Sequence, residues 1–302
     1  MSGVMTRDPV RVDVGSGVVV AGSSAKPSEP SNQPLIVTLH GGLYSAKYFD
    51  VPTWPGGSFI ELAVEQGYPI VSFDRPGYGS SSSLAPADNT YERQAEILGV
   101  AIEQVAAWIS ASGVVLVGHS IGGMIALTIA ARESGFKLFG VSATGLGSLI
   151  PTGGASEGLA AATSATGLDT VALPPEQCDG VMFGPSWTFD PGVLPAAHAS
   201  YAPAPVVELV AASRWAAEKL PQLAPKVTVP VHNSLAEFDA LWVSSPETIA
   251  RFATLFTAAP FVDASIARGT GHSIDHHRLG HALQLRQLAF ADECQLLAEQ
   301  PR

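Results

Sequence analysis

The chain has 302 residues, of which 46% are hydrophobic and 14% are charged, so it can bury a sizeable core and is not composed like a disordered protein. Its net charge of −11 argues against nucleic-acid binding and against adsorption to anionic membranes, because both need concentrated Lys and Arg. The two cysteines, Cys178 and Cys294, form neither a metal-binding spacing nor a disulfide framework. No apolar stretch resembles a secretory signal or a membrane span, and these features together predict a cytoplasmic protein.

The first half of the chain alternates between strand and helix patterns. Residues 9–22 alternate around glycine and predict a β-hairpin. Short apolar runs, which are typical of strands buried on both faces, follow at residues 34–39, 68–74, 114–117 and 137–141. Helical patterns separate these runs at residues 57–66, 89–109 and 118–132. This order predicts an α/β fold with a mostly parallel central sheet and helices on both of its faces.

The pattern changes at about residue 146. Residues 146–226 are rich in Gly, Ala, Ser and Pro and contain two or three helical patches, one of which has a predicted N-cap at Asp190. Strand and helix patterns then return at residues 227–235, 246–258, 261–267 and 275–299. We therefore predict one α/β core, formed by residues 1–145 and 227–302, with a mainly helical cap inserted at 146–226.

The strongest chemical motif is Gly118-His-Ser120-Ile-Gly122, which fits the pattern G-x-S-x-G. It stands between a Val-rich strand and an apolar helix, which is the context that a nucleophile elbow requires. Glycines two residues before and after Ser120 remove the side chains that would clash in a sharp turn, and the helix N-terminus favours negative charge there. Ser120 is therefore predicted to be a nucleophile, and the alternative is a simple glycine-rich turn.

A second motif, His40-Gly41-Gly42, ends the first buried strand. A nucleophilic serine needs N–H donors for the oxyanion of its tetrahedral intermediate. The predicted donors are the N–H group of Ile121, directly after the serine, and that of Gly42. The alternative is that this motif only reverses the chain.

The predicted general base is His272, which follows the last predicted strand in a Gly-Thr-Gly-His sequence. A histidine flanked by glycine in that loop can reach over the sheet to Ser120. Three further histidines follow closely. His277 and His281 have the spacing of a metal pair on a helix, but no H-E-x-x-H motif accompanies them. We expect His276, His277 and His281 to be exposed or capping residues, and we predict no metal site.

Two carboxylates, Glu237 and Asp239, follow the strand predicted at 227–235, and either could orient the histidine and stabilise its cation. In an extended backbone both would face the same side, so the residues alone leave the choice open. Asp74, at the end of an earlier strand, is interpreted as a turn former that pairs locally with Arg75.

With these motifs in place, the sequence resembles the α/β-hydrolase superfamily, in particular its serine branch with a G-H-S-x-G-G elbow and an inserted helical cap. The resemblance rests on motifs that occur in the family's order, namely His40-Gly-Gly42, Asp74-Arg-Pro-Gly-Tyr-Gly-Ser80, Gly118-His-Ser-Ile-Gly-Gly123, Glu237-Phe-Asp239 and Gly271-His272. It covers the chain apart from 146–226. The family places its acid at the second carboxylate of such a pair, which favours Asp239 over Glu237. One departure is that the strand before the acid contains the polar sequence His232-Asn-Ser234, where the family usually has apolar residues.

The resemblance implies a hydrolase, but the family includes several reactions. We expect hydrolysis of a small or medium carboxylic ester, thioester or lactone through an acyl-enzyme formed by a Ser-His-Asp triad. One alternative is a C–C bond hydrolase or lyase that uses the same triad. Another is a ligand-binding homologue that keeps the triad without turnover.

An insertion placed over the carboxyl edge of a parallel sheet lies where α/β sheets bind ligands, so we expect an apolar substrate pocket between cap and core. Leu43, Tyr44, Trp187 and Phe189 are the candidate substrate-binding residues, although aromatic residues of the cap could equally serve packing. We expect the partner to be a small, apolar, ester-like molecule and predict no cofactor. A homodimer is compatible with the sequence.

Overall fold

A central sheet of eight strands organises the computed structural model, which describes residues 6–300. The strands in chain order are β1 (Asp8–Asp13), β2 (Val19–Ala25), β3 (Leu35–Leu39), β4 (Ile70–Phe73), β5 (Val114–His119), β6 (Leu138–Thr144), β7 (Thr170–Val171), β8 (Ala204–Pro205), β9 (Val231–Ala236) and β10 (Val262–Ala267). The central sheet has the order β1-β2-β4-β3-β5-β6-β9-β10, and β7 and β8 form a separate ribbon. β1 and β2 form the predicted antiparallel hairpin, β2 joins β4 antiparallel, and the remaining pairs are parallel. The prediction of a mostly parallel sheet is confirmed.

Helices cover both faces of this sheet. Within residues 6–300 the α-helices are α1 (Phe59–Glu65), α2 (Tyr91–Trp108), α3 (Ile121–Ala130), α4 (Ala155–Ser164), α5 (Pro175–Met182), α6 (Leu194–His198), α7 (Val206–Glu218), α8 (Leu220–Leu223), α9 (Pro246–Thr254) and α10 (Gly280–Ala298). α1 packs against α10 on one face, and α2 packs against α3 on the other. Thr90 caps α2 by accepting the N–H of Arg93, as expected for a helix that starts after Asn89-Thr90.

The middle of the sheet is the best-packed part of the fold. Every residue of β3 and of β5 is buried, and so is every residue of α3, which follows β5 directly. Each buried Val or Leu side chain contributes about 1.5–3 kcal/mol relative to an exposed one. Burial on this scale holds β3 and β5 in place. The ends of these two strands carry the His-Gly-Gly and Gly-x-Ser-x-Gly motifs.

Residues 146–226, called the insertion below, connect β6 to β9 and are mainly helical. α4 and α7 pack together within it. Backbone hydrogen bonds tie the insertion to loops of the rest of the chain, from Ser45 to Ser200, from Ala202 to Leu43 and from Ser273 to Met182. Because these loops follow β3 and β10, the insertion lies over the carboxyl edge of the parallel strands. Its status as a domain separate from residues 1–145 and 227–302 stays a prediction.

The C-terminal helix begins later than predicted. Residues 274–276 form a short 3-10 helix, and α10 begins only at Gly280. A side chain at Gly280 would overlap the carbonyl of Asp275, so the chain turns sharply here instead of continuing one helix from residue 275. His277 therefore lies outside the helix that carries His281. No helix within residues 6–300 is both long and apolar enough to cross a membrane.

Candidate active site

Ser120 stands at the sharp turn between β5 and α3. Its backbone has φ 53° and ψ −121°, a combination that residues other than glycine rarely adopt. The flanking glycines explain how so tight a turn fits. A side chain at Gly118 would overlap the carbonyl of Gly122, and one at Gly122 would overlap the carbonyl of Leu39. The turn leaves Ser120 at the N-terminus of α3, where the helix dipole favours negative charge.

His272 lies against the Ser120 hydroxyl, with 3.0 Å between His272 Nε2 and Ser120 Oγ. It belongs to the loop after β10, residues 268–279, called the histidine loop below. His277 orders this loop, because its Nε2 accepts the N–H groups of Gly271 at 2.9 Å and of Gly184 at 3.2 Å. Since Gly184 belongs to the insertion, His277 joins the insertion to the loop that carries His272.

Asp239 lies on the far side of the imidazole. Its Oδ2 accepts a hydrogen bond from His272 Nδ1 at 2.9 Å, and its side chain is fully buried. Oδ1 accepts the backbone N–H groups of Leu241 at 2.9 Å and Trp242 at 3.2 Å. These two donors hold the carboxylate in one orientation, which keeps Nδ1 protonated and leaves Nε2 facing Ser120.

Glu237, the alternative acid, is turned elsewhere. It is exposed, and its Oε2 accepts the Gly269 N–H at 2.7 Å. β9 ends at Ala236, so the alternation of an extended strand does not continue through the two carboxylates. Glu237 therefore supports the start of the histidine loop, whereas Asp239 contacts the imidazole.

The polar residues of β9 do not disturb the strand that leads to Asp239. His232 Nδ1 lies 2.8 Å from Ser142 Oγ on β6. Asn233 Nδ2 donates to the carbonyls of Ala143 at 2.8 Å and Leu146 at 3.1 Å. These bonds satisfy the His232 Nδ1 and Asn233 Nδ2 atoms, which would otherwise be costly to bury, whereas Asn233 Oδ1 is buried without a partner among the described residues.

The His-Gly-Gly loop, residues 40–42, lies directly against the elbow. A Cβ atom on Gly41 would lie 3.1 Å from Ser120 Cβ, and one on Gly42 would lie 3.0 Å from Ile121 Cδ1. Ile121 is the first residue of α3, so its N–H lies outside the hydrogen bonds of that helix. The N–H of Gly42 has no protein acceptor within the described residues. Two N–H groups beside Ser120 are thus free to bind a ligand oxygen.

The predicted local pair between Asp74 and Arg75 was wrong. Asp74 accepts the backbone N–H groups of Ala46 at 2.9 Å and Ser80 at 3.3 Å. Arg75 instead forms an ion pair with Glu208 of α7 at 2.9 Å, and neither of the two side chains is exposed. The carboxylate of Asp74 binds backbone N–H groups of its own turn and of the segment after β3, whereas the guanidinium of Arg75 extends into the interior.

The expectation that His276 and His277 are exposed or capping residues is only partly right, because His277 is the C-cap of the 3-10 helix at residues 274–276 but neither side chain is exposed. Both are buried, and only His281 is exposed. His276 Nε2 donates to the carbonyl of Tyr48 at 3.0 Å. Burial lowers the pKa of each buried histidine to about 4, so both are neutral near pH 7. The sharp turn before Gly280 explains the difference, because it turns this end of the histidine loop inward, against Tyr48 and the insertion.

His119, the residue directly before Ser120, packs beside the ring of His272. Its ring stacks on Tyr48 with 4.5 Å between centroids and lies 5.0 Å from the ring of His272. Burial, reinforced by the nearby His272, lowers the pKa of His119 well below its usual value. His119 is therefore a neutral packing residue that adds no charge beside the imidazole.

Two of the candidate substrate-binding residues lie in the interior. Leu43 and Tyr44 are both buried, and Leu43 has a positive φ of 63°. The Tyr44 hydroxyl lies 2.7 Å from Ser273 Oγ, and its ring packs against Tyr201 of the insertion. Tyr44 thus connects the chain after the His-Gly-Gly loop to the histidine loop and to the insertion.

The other two candidates differ from each other. Phe189 is half-buried and packs against Phe183 and His277, with 4.8 Å between the two phenyl centroids. Trp187 is 63% exposed and touches Phe238 edge-on at 5.7 Å. Trp187 therefore has a free face for a ligand, whereas the contacts of Phe189 are those of a packing residue.

Sequence reasoning missed the role of Glu208 in this region. It stands in the first turn of α7, where an acidic residue is ordinarily explained by the helix dipole and expected to be exposed. Its apolar neighbours in Val206-Val-Glu-Leu-Val210 are the only local sign of burial. As for metals, no group of three or more His, Cys, Asp or Glu side chains among residues 6–300 is arranged to hold an ion.

Comparison with known proteins identifies relatives of this arrangement. The sequence model described as Alpha/beta hydrolase family matches residues 36–293. No curated protein sequence matches the chain. The structure of a thermophilic esterase from Thermogutta terrifontis is similar, with 18% identity, a TM-score of 0.67 and coverage of 95% of this chain and 98% of that chain.

Two lactonases are similar to the same degree. An N-acyl homoserine lactonase complexed with N-hexanoyl homoserine has 14% identity and a TM-score of 0.68, with 98% of this chain and 99% of that chain covered. The enol-lactonase from Burkholderia xenovorans LB400 has 16% identity and a TM-score of 0.67, with 93% and 99% covered. At such identities the likeness establishes a shared fold.

Proposed function

Since the chain belongs to the α/β hydrolase family and is therefore a hydrolase, we propose that it cleaves a small or medium carboxylic ester, thioester or lactone through an acyl-enzyme on Ser120. One observation carries this proposal. Asp239, His272 and Ser120 form a continuous line, with 2.9 Å from Asp239 Oδ2 to His272 Nδ1 and 3.0 Å from His272 Nε2 to Ser120 Oγ. A carboxylate, an imidazole and a hydroxyl at these distances can remove the serine proton as the oxygen attacks.

In the acylation step, Ser120 Oγ attacks the substrate carbonyl carbon while its proton passes to His272 Nε2. Asp239 stabilises the imidazolium that forms. The former carbonyl oxygen becomes an oxyanion, which accepts hydrogen bonds from the N–H groups of Gly42 and Ile121. Removing one such donor from a serine hydrolase costs about 10²–10³ in kcat, so both groups belong to the proposed machinery.

Acylation ends when the tetrahedral intermediate collapses and its bond to the alkoxide or thiolate breaks. His272 gives its proton to that leaving group, and the acyl group stays on Ser120. A water molecule then attacks the acyl carbon and loses a proton to His272. Collapse of the second intermediate releases the carboxylic acid and returns the proton to the serine oxygen.

Substrate access depends on the insertion. Ser120 is 8% exposed, which supports a closed arrangement that opens when the insertion shifts. We propose an apolar pocket between the insertion and the rest of the fold, with Trp187 at its rim. Such a pocket fits a small apolar ester-like molecule as the partner.

Turnover of a substrate panel tests the proposal. Nitrophenyl esters from acetate to octanoate and acyl thioesters should give a burst followed by steady turnover, and lactones should be opened with steady turnover. Ser120→Ala should fold normally and lose about 10⁴-fold or more in kcat, as loss of the nucleophile does in a serine protease. A fluorophosphonate probe should add once, at Ser120.

Other outcomes separate the alternatives. Labelling of Ser120 without turnover of any substrate would make the protein a ligand-binding homologue. Cleavage of a diketone in preference to every ester would favour a C–C bond hydrolase. If Ser120→Ala keeps more than about a tenth of the activity, Ser120 is not the nucleophile.

A further inference from the structure

A buried ion pair connects the insertion to the interior behind the His-Gly-Gly loop. Arg75 Nη1 donates to Glu208 Oε2 at 2.9 Å, and both side chains are 0% exposed. The Tyr78 hydroxyl donates to the same oxygen at 3.1 Å, and the Gln94 amide donates to the other oxygen of Glu208. A buried charge pair is tolerated when its remaining hydrogen-bonding capacity is satisfied in this way.

The opposite side of the Arg75 guanidinium holds the His-Gly-Gly loop. Nε donates to the carbonyl of His40 at 2.8 Å, and Nη2 donates to the carbonyl of Gly41 at 3.2 Å. The backbone N–H of Arg75 donates to His40 Nε2 at 3.1 Å, so the ring proton is on Nδ1, which donates to the Gly41 carbonyl at 2.8 Å. Burial and the charge of Arg75 lower the pKa of His40 well below its usual value, which keeps this imidazole neutral.

These bonds set the direction of the Gly42 N–H. The peptide bonds of residues 6–300 are all trans, so the carbonyl of Gly41 and the N–H of Gly42, which share one peptide plane, point in opposite directions. The carbonyl points to Arg75. The N–H therefore points away from Arg75, and Gly41 and Gly42 lie against Ser120 and Ile121 of the elbow.

We infer that Glu208 is a positioning residue, which acts through Arg75 to hold the Gly41–Gly42 peptide with its N–H aimed at the substrate oxygen. The next residue of α7 touches the same loop directly, because a Cβ atom on Gly42 would lie 3.1 Å from Leu209 Cδ2. Both residues come from the insertion, so the donor is aligned when α7 is seated. Closure of the insertion thereby completes the oxyanion site. This inference rests on the proposed function.

Glu208→Gln tests the inference, with kcat expressed per site titrated by a fluorophosphonate. We expect kcat to fall about 10- to 100-fold while KM changes less than about twofold. The reason is that the oxyanion is absent from the ground-state complex and develops only in the transition state. The affinity for a trifluoromethyl ketone, whose adduct on Ser120 carries an oxyanion, should fall by the same factor. A merely structural role would lower the melting temperature and the fraction of titrated sites, but not kcat per site.

Two further variants complete the design. Glu92→Gln is the matched control, since it breaks the ion pair between α2 and the end of α7, where Lys219 Nζ lies 2.6 Å from Glu92 Oε1. It should leave kcat unchanged. In the double variant Arg75→Met/Glu208→Gln no buried charge is unpaired. Its loss of kcat should equal that of Arg75→Met alone, because Glu208 acts through Arg75.

The outcomes are distinguishable. An unchanged kcat in folded Glu208→Gln, or losses that multiply in the double variant, would overturn the inference. If Glu208→Gln does not fold, Tyr78→Phe removes one donor to the carboxylate and should lower kcat about two- to tenfold, and an unchanged kcat then has the same meaning. A wild-type protein with neither turnover nor labelling at Ser120 would overturn the proposed function, and this inference with it.

Discussion

The elbow and the histidine loop carry the two halves of the proposed triad, and the molecule fixes them in different ways. Around the elbow, the contacts are with the backbone of the sheet. Gly122 lies against the carbonyl of Leu39 at the end of β3, and the N–H of Ser120 donates to the carbonyl of Thr144 at 2.8 Å. The position of the proposed nucleophile is therefore a property of β3, β5 and β6.

Around the histidine loop, contacts with the insertion are added to those with the loops after β3 and β9. Gly271 lies against the backbone of Gly184, and the N–H of Ser273 donates to the carbonyl of Met182 at 2.8 Å. The proposed base thus depends on a region that the sheet does not hold. The difference implies that disturbing the insertion should reduce activity before it reduces stability, whereas disturbing the elbow should do both.

Among the variants that compare these two halves, the largest effect is expected at Asp239, which joins the histidine loop to the turn after β9. Asp239→Asn should lower kcat by about 10²–10⁴, because a neutral amide favours the wrong tautomer of His272 and cannot stabilise its cation. Glu237→Gln is the matched variant and should cost less than about tenfold, since its amide oxygen can still accept the Gly269 N–H. Steady-state kinetics with one ester measures both, and the reverse ranking would make Glu237 the acid.

A pair of glycine substitutions compares the two halves directly. Gly122→Ala should lower the free energy of unfolding by about 1–3 kcal/mol or more, because its methyl group meets backbone atoms that cannot move aside. Gly271→Ala should lower kcat more than stability, since the insertion can shift away from the new methyl group. Urea unfolding and kcat are measured for each.

The control for this pair is Gly99→Ala on α2, where a Cβ atom would meet nothing within 4 Å. It should leave kcat unchanged and stabilise the helix by about 0.5–1 kcal/mol. Equal losses of stability in Gly122→Ala and Gly271→Ala would contradict the distinction between the two halves.

As the pH falls, the histidine loop should open at a higher pH than the elbow. Burial lowers the pKa of His277 from 6.5 to about 4, so the neutral side chain contributes stability above pH 6.5 that is lost as the pH falls toward 4. Protonated Nε2 can no longer accept the N–H groups of Gly271 and Gly184. Hydrogen exchange, corrected for its intrinsic pH dependence, should accelerate in 271–277 at a higher pH than in 118–126.

His277→Gln is the control for the pH experiment. Its amide oxygen can accept a hydrogen bond and does not titrate in this range, so the early acceleration in the histidine loop should shrink. Simultaneous loss of protection in both regions would mean that acid acts on the whole fold and not on His277.

The smallest effect is expected at the rim of the insertion. Trp187→Ala should change the relative kcat/KM of short and long acyl esters by about 10-fold or more, as lost apolar contact does in other pockets, with stability within about 0.5 kcal/mol of wild type. Phe189→Ala should lower the stability and leave the preference between short and long acyl esters unchanged, because Phe189 packs against Phe183. If both variants lose stability and keep the wild-type profile, Trp187 is also a packing residue.

The sequence predicts those parts of the site that are determined locally. Glycines at fixed spacing around Ser120 indicate the elbow, because the turn itself needs them, as at Gly118, where a side chain would overlap the carbonyl of Gly122. The mostly parallel sheet follows from the alternation of apolar runs with helices, although its strand order does not. The residues alone leave the choice between Glu237 and Asp239 open, because it depends on where β9 stops, and only the family resemblance favours Asp239.

Features that depend on tertiary neighbours could not be predicted in the same way. The ion pair of Arg75 with Glu208 joins residues 133 positions apart, and either charge alone is compatible with a solvated surface. The burial of His276 and His277 depends on the turn before Gly280, which a helical pattern through residue 275 does not reveal. In each case the sequence does not show which distant part of the chain packs over the residue and buries it.

The pairing of β6 with β9 has a consequence for the newly made chain. These strands are neighbours in the sheet, yet the ribosome completes the whole insertion between Thr144, where β6 ends, and Val231, where β9 begins. At about 5–20 residues per second, synthesis of these roughly 90 residues takes about 4–18 s. During that time the edge of β6, a strand almost wholly buried in the finished protein, has no partner and can pair with other unfinished chains. The position of the insertion therefore imposes an aggregation risk on the nascent chain, one that the folded protein no longer has.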